Sequence, residues 1–378
     1  MIYFDNAATT YPKPAAVYQG CNEALLRYGA NPGRSGHTMS FETAEMIFSA
    51  REKAAHFFHA PDVENVIFTL NCTMSINLVL KGLLKSGDHV IISDLEHNSV
   101  ARPVETLKRR GVIDYSVAHV VEGNRERTLQ NFRSAIRPNT VLIACTHASN
   151  VFGIRLPITE LGRLCSARKL LLMVDAAQSA GVVPIDVQRD HIDFLCVASH
   201  KGLYAPMGTG LLITDKADRL NTVFEGGTGS GSLELSQPEV LPDKLESGTV
   251  NVVGIAGILY GIETVEKVGI DNIAAHEFQV VRRIYRNLRE NRRVKLYTAC
   301  PNENTHVPVL SLNVEGMDSN ETVQKLSDLG FALRGGLHCA PLAHISKGTE
   351  KIGTARLCPS MFTTLREADA LCRAIKNL

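Results

Sequence analysis

The chain lacks a charge excess of either sign and lacks a long apolar run. Forty Lys and Arg residues accompany 39 Asp and Glu residues, which leaves a formal net charge of +1. This balance gives the whole chain no preference for nucleic acid or an anionic membrane. No segment approaches the roughly 18 apolar residues of a membrane span, and residues 1–6 lack the pattern of a signal peptide. We therefore expect a cytoplasmic protein that binds neither nucleic acid nor membrane.

Paired cysteines are also missing. The nine cysteines are an odd number, and no two of them have Cys-x-x-Cys spacing. Several lie within apolar runs, a pattern typical of reduced thiols in a reducing compartment. We expect at most one or two to be chemically special, and small buried thiols are the simplest interpretation of Cys21, Cys145, Cys165, Cys196, Cys300 and Cys372.

Short apolar runs alternate with amphipathic stretches between residues 63 and 214. Continuous hydrophobicity is typical of strands that are buried on both faces, and helices between such strands indicate a mostly parallel sheet. The predicted strands are 66–70, 90–93, 141–145, 170–174, 194–197 and 211–213. The sequence therefore predicts an α/β fold in which helices, among them 73–84 and 159–168, cover the sheet.

The C-terminal part of the chain has a different pattern. A long helical pattern runs from residue 253 to about 293, and a strand is predicted at 307–314, with helices at 319–329 and from 365. We therefore predict a large domain at 13–252 and a smaller α+β domain formed by 1–12 and 253–378. The glycine-rich segment 226–231 is either a plain loop or a mobile segment near the active site.

Two residues at the ends of apolar runs indicate a cofactor. Asp175 ends one run and Lys201 follows the next, twenty-six positions later. A lysine amine can bind pyridoxal 5'-phosphate covalently, and a carboxylate can keep its pyridine nitrogen protonated so that the ring accepts electrons. Ligands of parallel sheets gather at the carboxyl ends of strands, where both residues are expected. The alternative is an Asp that caps a helix and an unrelated surface lysine.

Six motifs in order connect the chain with a known family. They are residues 4–10 (FDNAATT), 96–99 (EHNS), 149–153 (SNVFG), 174–175 (VD), 200–201 (HK) and 334–339 (RGGLHC). In these motifs the chain resembles the cysteine desulfurases and selenocysteine lyases, in the class V aminotransferase-like branch of fold-type I pyridoxal phosphate enzymes. The resemblance covers nearly the whole chain and implies that branch's fold and cofactor.

The resemblance implies a set of cofactor contacts. His97 would stack on the cofactor ring and move protons, and Gln178 would donate to its phenolic oxygen. Where the family commonly has Ser-Gly-His-Lys, this chain has Ala198 and Ser199, so Ser199 is the candidate for the missing hydroxyl. The implied cofactor-binding residues are Cys72, Thr73, His97, Asn150, Asp175, Gln178, Ser199, His200, Lys201 and Thr249.

Several of these residues have simpler interpretations. A helix N-terminus at Cys72 and Thr73 suits a phosphate group, yet Thr73 taken by itself is better explained as an N-cap. Asn150 could form a turn, and Gln178 could be a solvated residue at a helix start.

The resemblance also implies how substrate is held. Arg356 would bind the α-carboxylate of an amino acid, a task suited to a planar bidentate donor. The other implied substrate-binding residues are Ala8, His37, Asn150 and Arg334. Family enzymes are homodimers with composite sites, so Thr249 and His37 would reach the cofactor of the other subunit.

Cys339 decides which reaction the scaffold performs. It lies between glycines and Ala340-Pro341 in a predicted exposed loop, where His338 and Arg334 could favour its thiolate. It resembles the nucleophile of the desulfurases with a short loop. With Lys201 and His97 as the other catalytic residues, the implied reaction converts L-cysteine to L-alanine and leaves sulfur on Cys339 as a persulfide, for an acceptor protein or thiol.

Other functions stay open from the sequence. One alternative is a selenocysteine lyase, which would act on L-selenocysteine. Such an enzyme would not need Cys339, because selenide is expelled without a nucleophilic cysteine. A transaminase or another β-eliminating enzyme of this scaffold would make Cys339 incidental. A non-catalytic thiol or metal carrier built on His338, Cys339 and His344 would lack a convincing fourth ligand and leave Lys201 unexplained, so no metal is expected.

Overall fold

The computed structural model describes residues 1–32 and 36–378. The strands are β1 (Ile2–Tyr3), β2 (Val66–Thr69), β3 (Asp88–Ser93), β4 (Ile113–Ala118), β5 (Thr140–Thr146), β6 (Leu171–Asp175), β7 (Phe194–Ala198), β8 (Gly210–Ile213), β9 (Val294–Leu296), β10 (Leu310–Val314), β11 (Phe331–Ala332) and β12 (Ala355–Leu357). The helices are α1 (Ala15–Arg27), α2 (Thr38–Phe58), α3 (Cys72–Leu83), α4 (Asn98–Arg109), α5 (Arg125–Ala135), α6 (Ile158–Arg168), α7 (Val252–Val268), α8 (Ile270–Leu288), α9 (Ser319–Asp328), α10 (Pro341–Lys347) and α11 (Leu365–Lys376). The predicted elements have counterparts here, although the strand predicted at 307–314 begins at Leu310, and two further differences are described below. The elements that were not predicted are α1, α2, α4, α5, α10, β1, β4, β9, β11 and β12.

A mixed sheet of seven strands forms the centre of the fold, in the order β2-β8-β7-β6-β5-β3-β4. Strands β3 to β7 are parallel to one another, whereas β8 is antiparallel to both β7 and β2. All six predicted strands are present, and the predicted α/β class is confirmed. The sequence analysis missed β4, because this edge strand is only partly buried and carries no continuous apolar run.

The predicted long helix after residue 253 was wrong. It is two helices, α7 and α8, which meet at Gly269, where φ is 89°. A residue with a positive φ interrupts the right-handed helix, and glycine adopts this conformation without a steric penalty. No helix of the described residues is long and apolar enough to cross a lipid bilayer.

Large apolar clusters cover both faces of the seven-stranded sheet, and a further cluster lies in the C-terminal part. The C-terminal cluster joins α8, α9, α11 and the three-stranded sheet β12-β10-β9, and it includes Phe4 from the N-terminal segment. Helix α7 instead buries Ile255 and Ile258 with the first cluster. The domain boundary at residue 252 stays a prediction, although this packing places α7 with the large sheet.

Candidate active site

The carboxyl ends of the parallel strands open into a cavity of about 230 Å³. Asp175 is the last residue of β6, and Lys201 follows the end of β7 by three residues. The cavity brings together most of the predicted site residues. Those that line it are Ala8, Cys72, Thr73, His97, Asn150, Asp175, Gln178, His200, Lys201, Arg334, Cys339 and Arg356.

The carboxylate of Asp175 is buried and lies against three polar groups. Its Oδ1 accepts from the backbone N–H of Ala177 at 2.9 Å and from the thiol of Cys72 at 3.4 Å. Its Oδ2 lies 3.5 Å from the hydroxyl of Ser99. These contacts fix the carboxylate at the end of β6, where it lines the cavity and can face a ring nitrogen.

Lys201 supplies an amine suited to covalent chemistry. The amine has no hydrogen bond or ion pair with the described residues, and it faces the cavity. Burial lowers the pKa of Lys201, and the nearby Arg356 guanidinium lowers it further, while Asp175 opposes the shift. A lowered pKa increases the neutral fraction of the amine, which is the nucleophilic form.

His97 caps helix α4 with its ring. Nδ1 accepts a hydrogen bond from the backbone N–H of Ser99 at 3.0 Å, and the hydroxyl of Ser99 lies 2.8 Å from the same nitrogen. The acceptor role of Nδ1 places the proton of the neutral ring on Nε2. Burial lowers the pKa of His97, although Asp175 opposes the shift. The ring therefore enters the cavity as a neutral imidazole.

The N-terminus of helix α3 differs from the expectation for Thr73. Asn71 is the N-cap, because its side chain accepts from the backbone N–H of Met74 at 2.9 Å. Thr73 is the second helical residue, and its hydroxyl is free of capping and lines the cavity. The unpaired N–H groups of the first turn, together with this hydroxyl, are typical of a phosphate site.

His200 and Ser199 lie on opposite sides of the chain at the end of β7. His200 lines the cavity, and its Nδ1 is buried without a hydrogen-bond partner among the described residues. Burial lowers the pKa of His200 to about 4. The hydroxyl of Ser199 is buried and does not line the cavity. Successive side chains of a strand point to opposite faces, and here Ala198 and His200 are the residues that line the cavity. This arrangement does not favour Ser199 as the substitute for the family's serine.

Arg356 is buried and lines the cavity. Its Nη1 donates to the carbonyl oxygen of Asn150 at 2.9 Å, and its Nη2 donates to Oδ1 of Asp5 at 2.8 Å. Its Nε has no hydrogen-bond partner among the described residues. Two engaged nitrogens fix the plane of the guanidinium, while Nε remains available for a carboxylate.

The loop that carries Cys339 is held at two points. The backbone N–H of Asn98 donates to the carbonyl oxygen of Cys339 at 2.7 Å, and the side chain of Asn150 donates to the carbonyl oxygen of His338 at 2.7 Å. Both loop residues have positive φ, 48° for His338 and 56° for Cys339. Cys339 is exposed, whereas none of the other eight cysteines is, and all nine lie in the described part of the chain.

His338 does not supply the positive charge that the sequence suggested. Its ring is buried, Nε2 donates to the carbonyl oxygen of Thr354 at 2.9 Å, and burial lowers its pKa to about 2. It stacks on His344 with the ring centres 5.9 Å apart. Across residues 1–32 and 36–378, no three His, Cys, Asp or Glu side chains are grouped to hold a metal ion.

Two predicted residues lie away from this cavity. His37 is exposed and caps helix α2, accepting from the backbone N–H of Ser40 at 3.3 Å. Thr249 is exposed and lines a different cavity, between α2 and the segment 228–250. Both residues were predicted to reach the cofactor of a second subunit. Their distance from the cavity of their own chain is what that prediction requires.

The cavity fits pyridoxal phosphate. It offers a buried amine at Lys201, a carboxylate at Asp175, an imidazole at His97 and a helix N-terminus with the hydroxyl of Thr73. Buried polar atoms without a hydrogen-bond partner among the described residues lie around it, including Oδ1 of Asn150, Nδ1 of His200 and Nε of Arg356. Buried polar groups normally have partners, so these atoms indicate a polar ligand.

Sequence reasoning missed two functional residues. Ser99 contacts both His97 and Asp175, and Asp5 pairs with Arg356. Ser99 follows His97 by two residues at the start of α4. This spacing was a usable signal that the two residues form a helix cap. Asp5 is separated from Arg356 by most of the chain, and no local pattern could have indicated that contact.

Known proteins resemble the chain over its full length. The family described as aminotransferase class-V matches residues 2–371. A probable cysteine desulfurase of Pyrococcus abyssi is 32% identical over 393 residues, which cover 100% of this chain and 94% of the relative. A probable cysteine desulfurase of Methanothermobacter thermautotrophicus is 31% identical over 387 residues, with 100% and 94% covered.

Solved structures of cysteine desulfurases also resemble the chain over nearly its full length. The apo structure of a cysteine desulfurase from Thermococcus onnurineus has a TM-score of 0.89 and 30% identity, and the match covers 100% of this chain and 94% of that one. A cysteine desulfurase from Escherichia coli has a TM-score of 0.87 and 26% identity, with 99% and 94% covered.

Proposed function

The chain belongs to the class V aminotransferase family, and from this membership we propose that it is a pyridoxal phosphate-dependent cysteine desulfurase. It converts L-cysteine to L-alanine and transfers the sulfur to Cys339. The observation that carries the proposal is that Cys339, the exposed cysteine among nine, lines the same cavity as Lys201 and Asp175. A thiol in this place can reach a substrate that is bound at the amine.

Four groups of this chain would hold the cofactor. The N-terminus of α3 with Thr73 would bind the phosphate, Lys201 would bind the aldehyde, Asp175 would face the ring nitrogen, and His97 would lie against the ring. When bound, pyridoxal phosphate supplies a ring that accepts the electron pair released at Cα of the amino acid. The thiol of Cys72 and the backbone N–H of Ala177 donate to Oδ1 of Asp175 and hold its carboxylate in place.

The substrate is oriented by its carboxylate and its amine. The guanidinium of Arg356 binds the α-carboxylate through Nε, and Asp5 with the carbonyl oxygen of Asn150 keeps the guanidinium plane fixed. The amine of Lys201, whose pKa is lowered by burial, would be placed to accept the Cα proton of bound substrate. His97 lines the same cavity, and its ring can donate a proton to the carbon that loses sulfur once the neutral ring has taken up a second proton from the substrate.

Cys339 then acts as the nucleophile. Its thiolate attacks the substrate sulfur, so that an S–S bond forms while the Cβ–S bond breaks. The electron pair of the broken bond stays on carbon, which is protonated to give the methyl group of alanine. The sulfur remains on Cys339 as a persulfide, and an acceptor protein or thiol must remove it before the next turnover.

We also propose that the protein is a cytoplasmic homodimer. Thr249 and His37 are exposed and absent from the chain's own cavity, as residues that serve a partner subunit would be. Large apolar side chains near them are exposed as well, including Met39, Phe41 and Phe48 at 51–58%. A second copy that covers this surface would remove apolar area from water.

The test is product analysis with cofactor-loaded protein. Given L-cysteine and a thiol reductant, the parent should release alanine and sulfide in equal amounts, and Cys339→Ala should retain the cofactor spectrum but lose both products. Cys300→Ala, which changes a partly buried thiol elsewhere, is the matched control. Undiminished sulfide from Cys339→Ala would refute the role of Cys339. Turnover of L-selenocysteine alone would identify a selenocysteine lyase, and amination of an added keto acid would identify a transaminase.

A further inference from the structure

Cys339 lines two outer cavities as well as the inner one. One, of about 390 Å³, lies between helices α3 and α4, and the other, of about 660 Å³, lies between α4 and the start of α10. The inner cavity and the first outer cavity also share Thr73, His97 and Ser99. The sulfur of Cys339 is therefore placed between the reacting centre and an outer pocket of the size that small ligands occupy.

The cavity between α3 and α4 is positively charged. Lys81 and Arg102 line it, and no Asp or Glu does. Neither cation forms an ion pair with a described residue, although other cations of α4 do: Arg109 pairs with Glu105 at 2.7 Å and Lys108 with Asp114 at 3.0 Å. The free cations at this cavity thus differ from the neutralised surface beside it, and an anion would complement them.

We propose that this cavity is a binding site for the sulfur acceptor, and that the acceptor is a small thiol that carries a carboxylate. The inference rests on the proposed function. The carboxylate would bind at Lys81 and Arg102, which would direct the thiol towards Cys339. A small thiol is favoured over a protein because the volume of this cavity, about 390 Å³, is that of a small-ligand pocket.

The transfer is balanced without a further reactant. The thiolate of the acceptor attacks the outer sulfur of the Cys339 persulfide, and a new S–S bond forms as the bond to the sulfur of Cys339 breaks. The electron pair of that bond stays on Cys339 as its thiolate, and the proton of the acceptor thiol is released to solvent. The acceptor leaves as a persulfide, and the electrons of the two thiols and the transferred sulfur are conserved.

The test measures discharge of a preformed persulfide. Holoenzyme is loaded with ³⁵S from labelled L-cysteine, freed of excess substrate, and mixed with 3-mercaptopropionate, 2-mercaptoethanol or cysteamine, none of which is an α-amino acid. The ratio of the discharge rates for the anionic and the neutral thiol is compared between the parent and Lys81→Gln, Arg102→Gln and the double variant. This comparison cancels the intrinsic reactivity of each thiol.

We expect the ratio to fall about two- to fivefold in each single variant and further in the double variant; this corresponds to about 0.4–1 kcal/mol, within the range of exposed ion pairs. Arg110→Gln, at the end of the same helix and outside these cavities, should keep the parental ratio. Equal ratios in the parent and the double variant would overturn the inference and leave a protein-borne thiol as the acceptor. A holoenzyme that never forms the persulfide would overturn the proposed function and this inference together.

A second measurement does not need turnover. The rates at which iodoacetate, an anion, and iodoacetamide, its neutral analogue, alkylate Cys339 are measured by mass spectrometry in the resting holoenzyme. The two cations should favour iodoacetate in the parent, and the preference should decrease in Lys81→Gln and Arg102→Gln. No change in the double variant would show that the cations do not act at Cys339, whatever the fate of the persulfide.

Discussion

The backbone N–H of Ser99 donates to Nδ1 of His97 at 3.0 Å, and this hydrogen bond fixes the proton of the neutral ring on Nε2. The hydroxyl of Ser99 lies 2.8 Å from the same nitrogen and 3.5 Å from Oδ2 of Asp175. One side chain therefore connects the two groups proposed to lie against the cofactor ring and to face its nitrogen. Protonation of Nδ1 would break the helix cap, which favours the neutral ring.

Ser99→Ala tests this connection, because it keeps the backbone N–H and removes only the hydroxyl. Loss of a donor to Nδ1 destabilises the neutral ring and so raises the pKa of His97. We expect the acid limb of kcat for alanine formation to move to higher pH. Ser99→Thr, which retains the hydroxyl, should restore the parental profile. An equal loss of rate at every pH would indicate a structural role instead.

The sequence predicted the sheet and the residues at its strand ends well, because apolar runs and strand-end motifs are local patterns. It did not predict the orientation of side chains within those motifs. His338 and Cys339 are adjacent, yet the positive φ of both turns the ring inward and leaves the thiol exposed. The contact of Asp5 with Arg356 depends on β12 lying beside the N-terminal segment, a tertiary arrangement that no local pattern contains.

Arg356→Lys should weaken substrate binding more than chemistry. Lysine cannot reproduce the planar donor that contacts Asp5 and Asn150 and still offers Nε to a carboxylate. A hydrogen bond to a charged group contributes about 1.5–3 kcal/mol, so KM for L-cysteine should rise at least tenfold. Steady-state kinetics of the Lys variant beside Arg334→Lys would measure this. An unchanged KM in Arg356→Lys and a raised one in Arg334→Lys would move the carboxylate site to Arg334.

His338→Gln should make the protein less sensitive to acid. The pKa of His338 is lowered to about 2 by burial, so below pH 6.5 the unfolded chain takes up a proton that the folded protein does not. As the pH decreases below 6.5, this residue lowers the free energy of unfolding by up to about 1.4 kcal/mol per pH unit. Urea unfolding between pH 6.5 and 4 should show a shallower slope in His338→Gln, which can still donate to Thr354. His56→Gln, an exposed control, should keep the parental slope, and a parental slope in His338→Gln would contradict the prediction.

The ion pair of Arg51 and Glu246 should anchor the segment that leads to Thr249. Nη1 and Nη2 of Arg51 lie 2.7 and 2.9 Å from the two carboxylate oxygens, and the side chains are only 7% and 6% exposed. Glu246 also accepts from the backbone N–H of Phe68 at 2.6 Å. Glu246→Ala leaves a buried guanidinium without its counter-charge, so the free energy of unfolding should fall by about 3–5 kcal/mol, measured by urea unfolding.

The double variant Arg51→Met/Glu246→Leu distinguishes stability from positioning. Replacing both charges with apolar side chains removes the unpaired charge and should restore most of the stability lost in Glu246→Ala. Thr249, three residues after Glu246, would still lack its anchor. If Thr249 serves the cofactor of a partner subunit, the double variant should be stable yet release pyridoxal phosphate faster than the parent. Full recovery of both properties would mean that the pair serves only the fold, and that the segment at Thr249 does not depend on it.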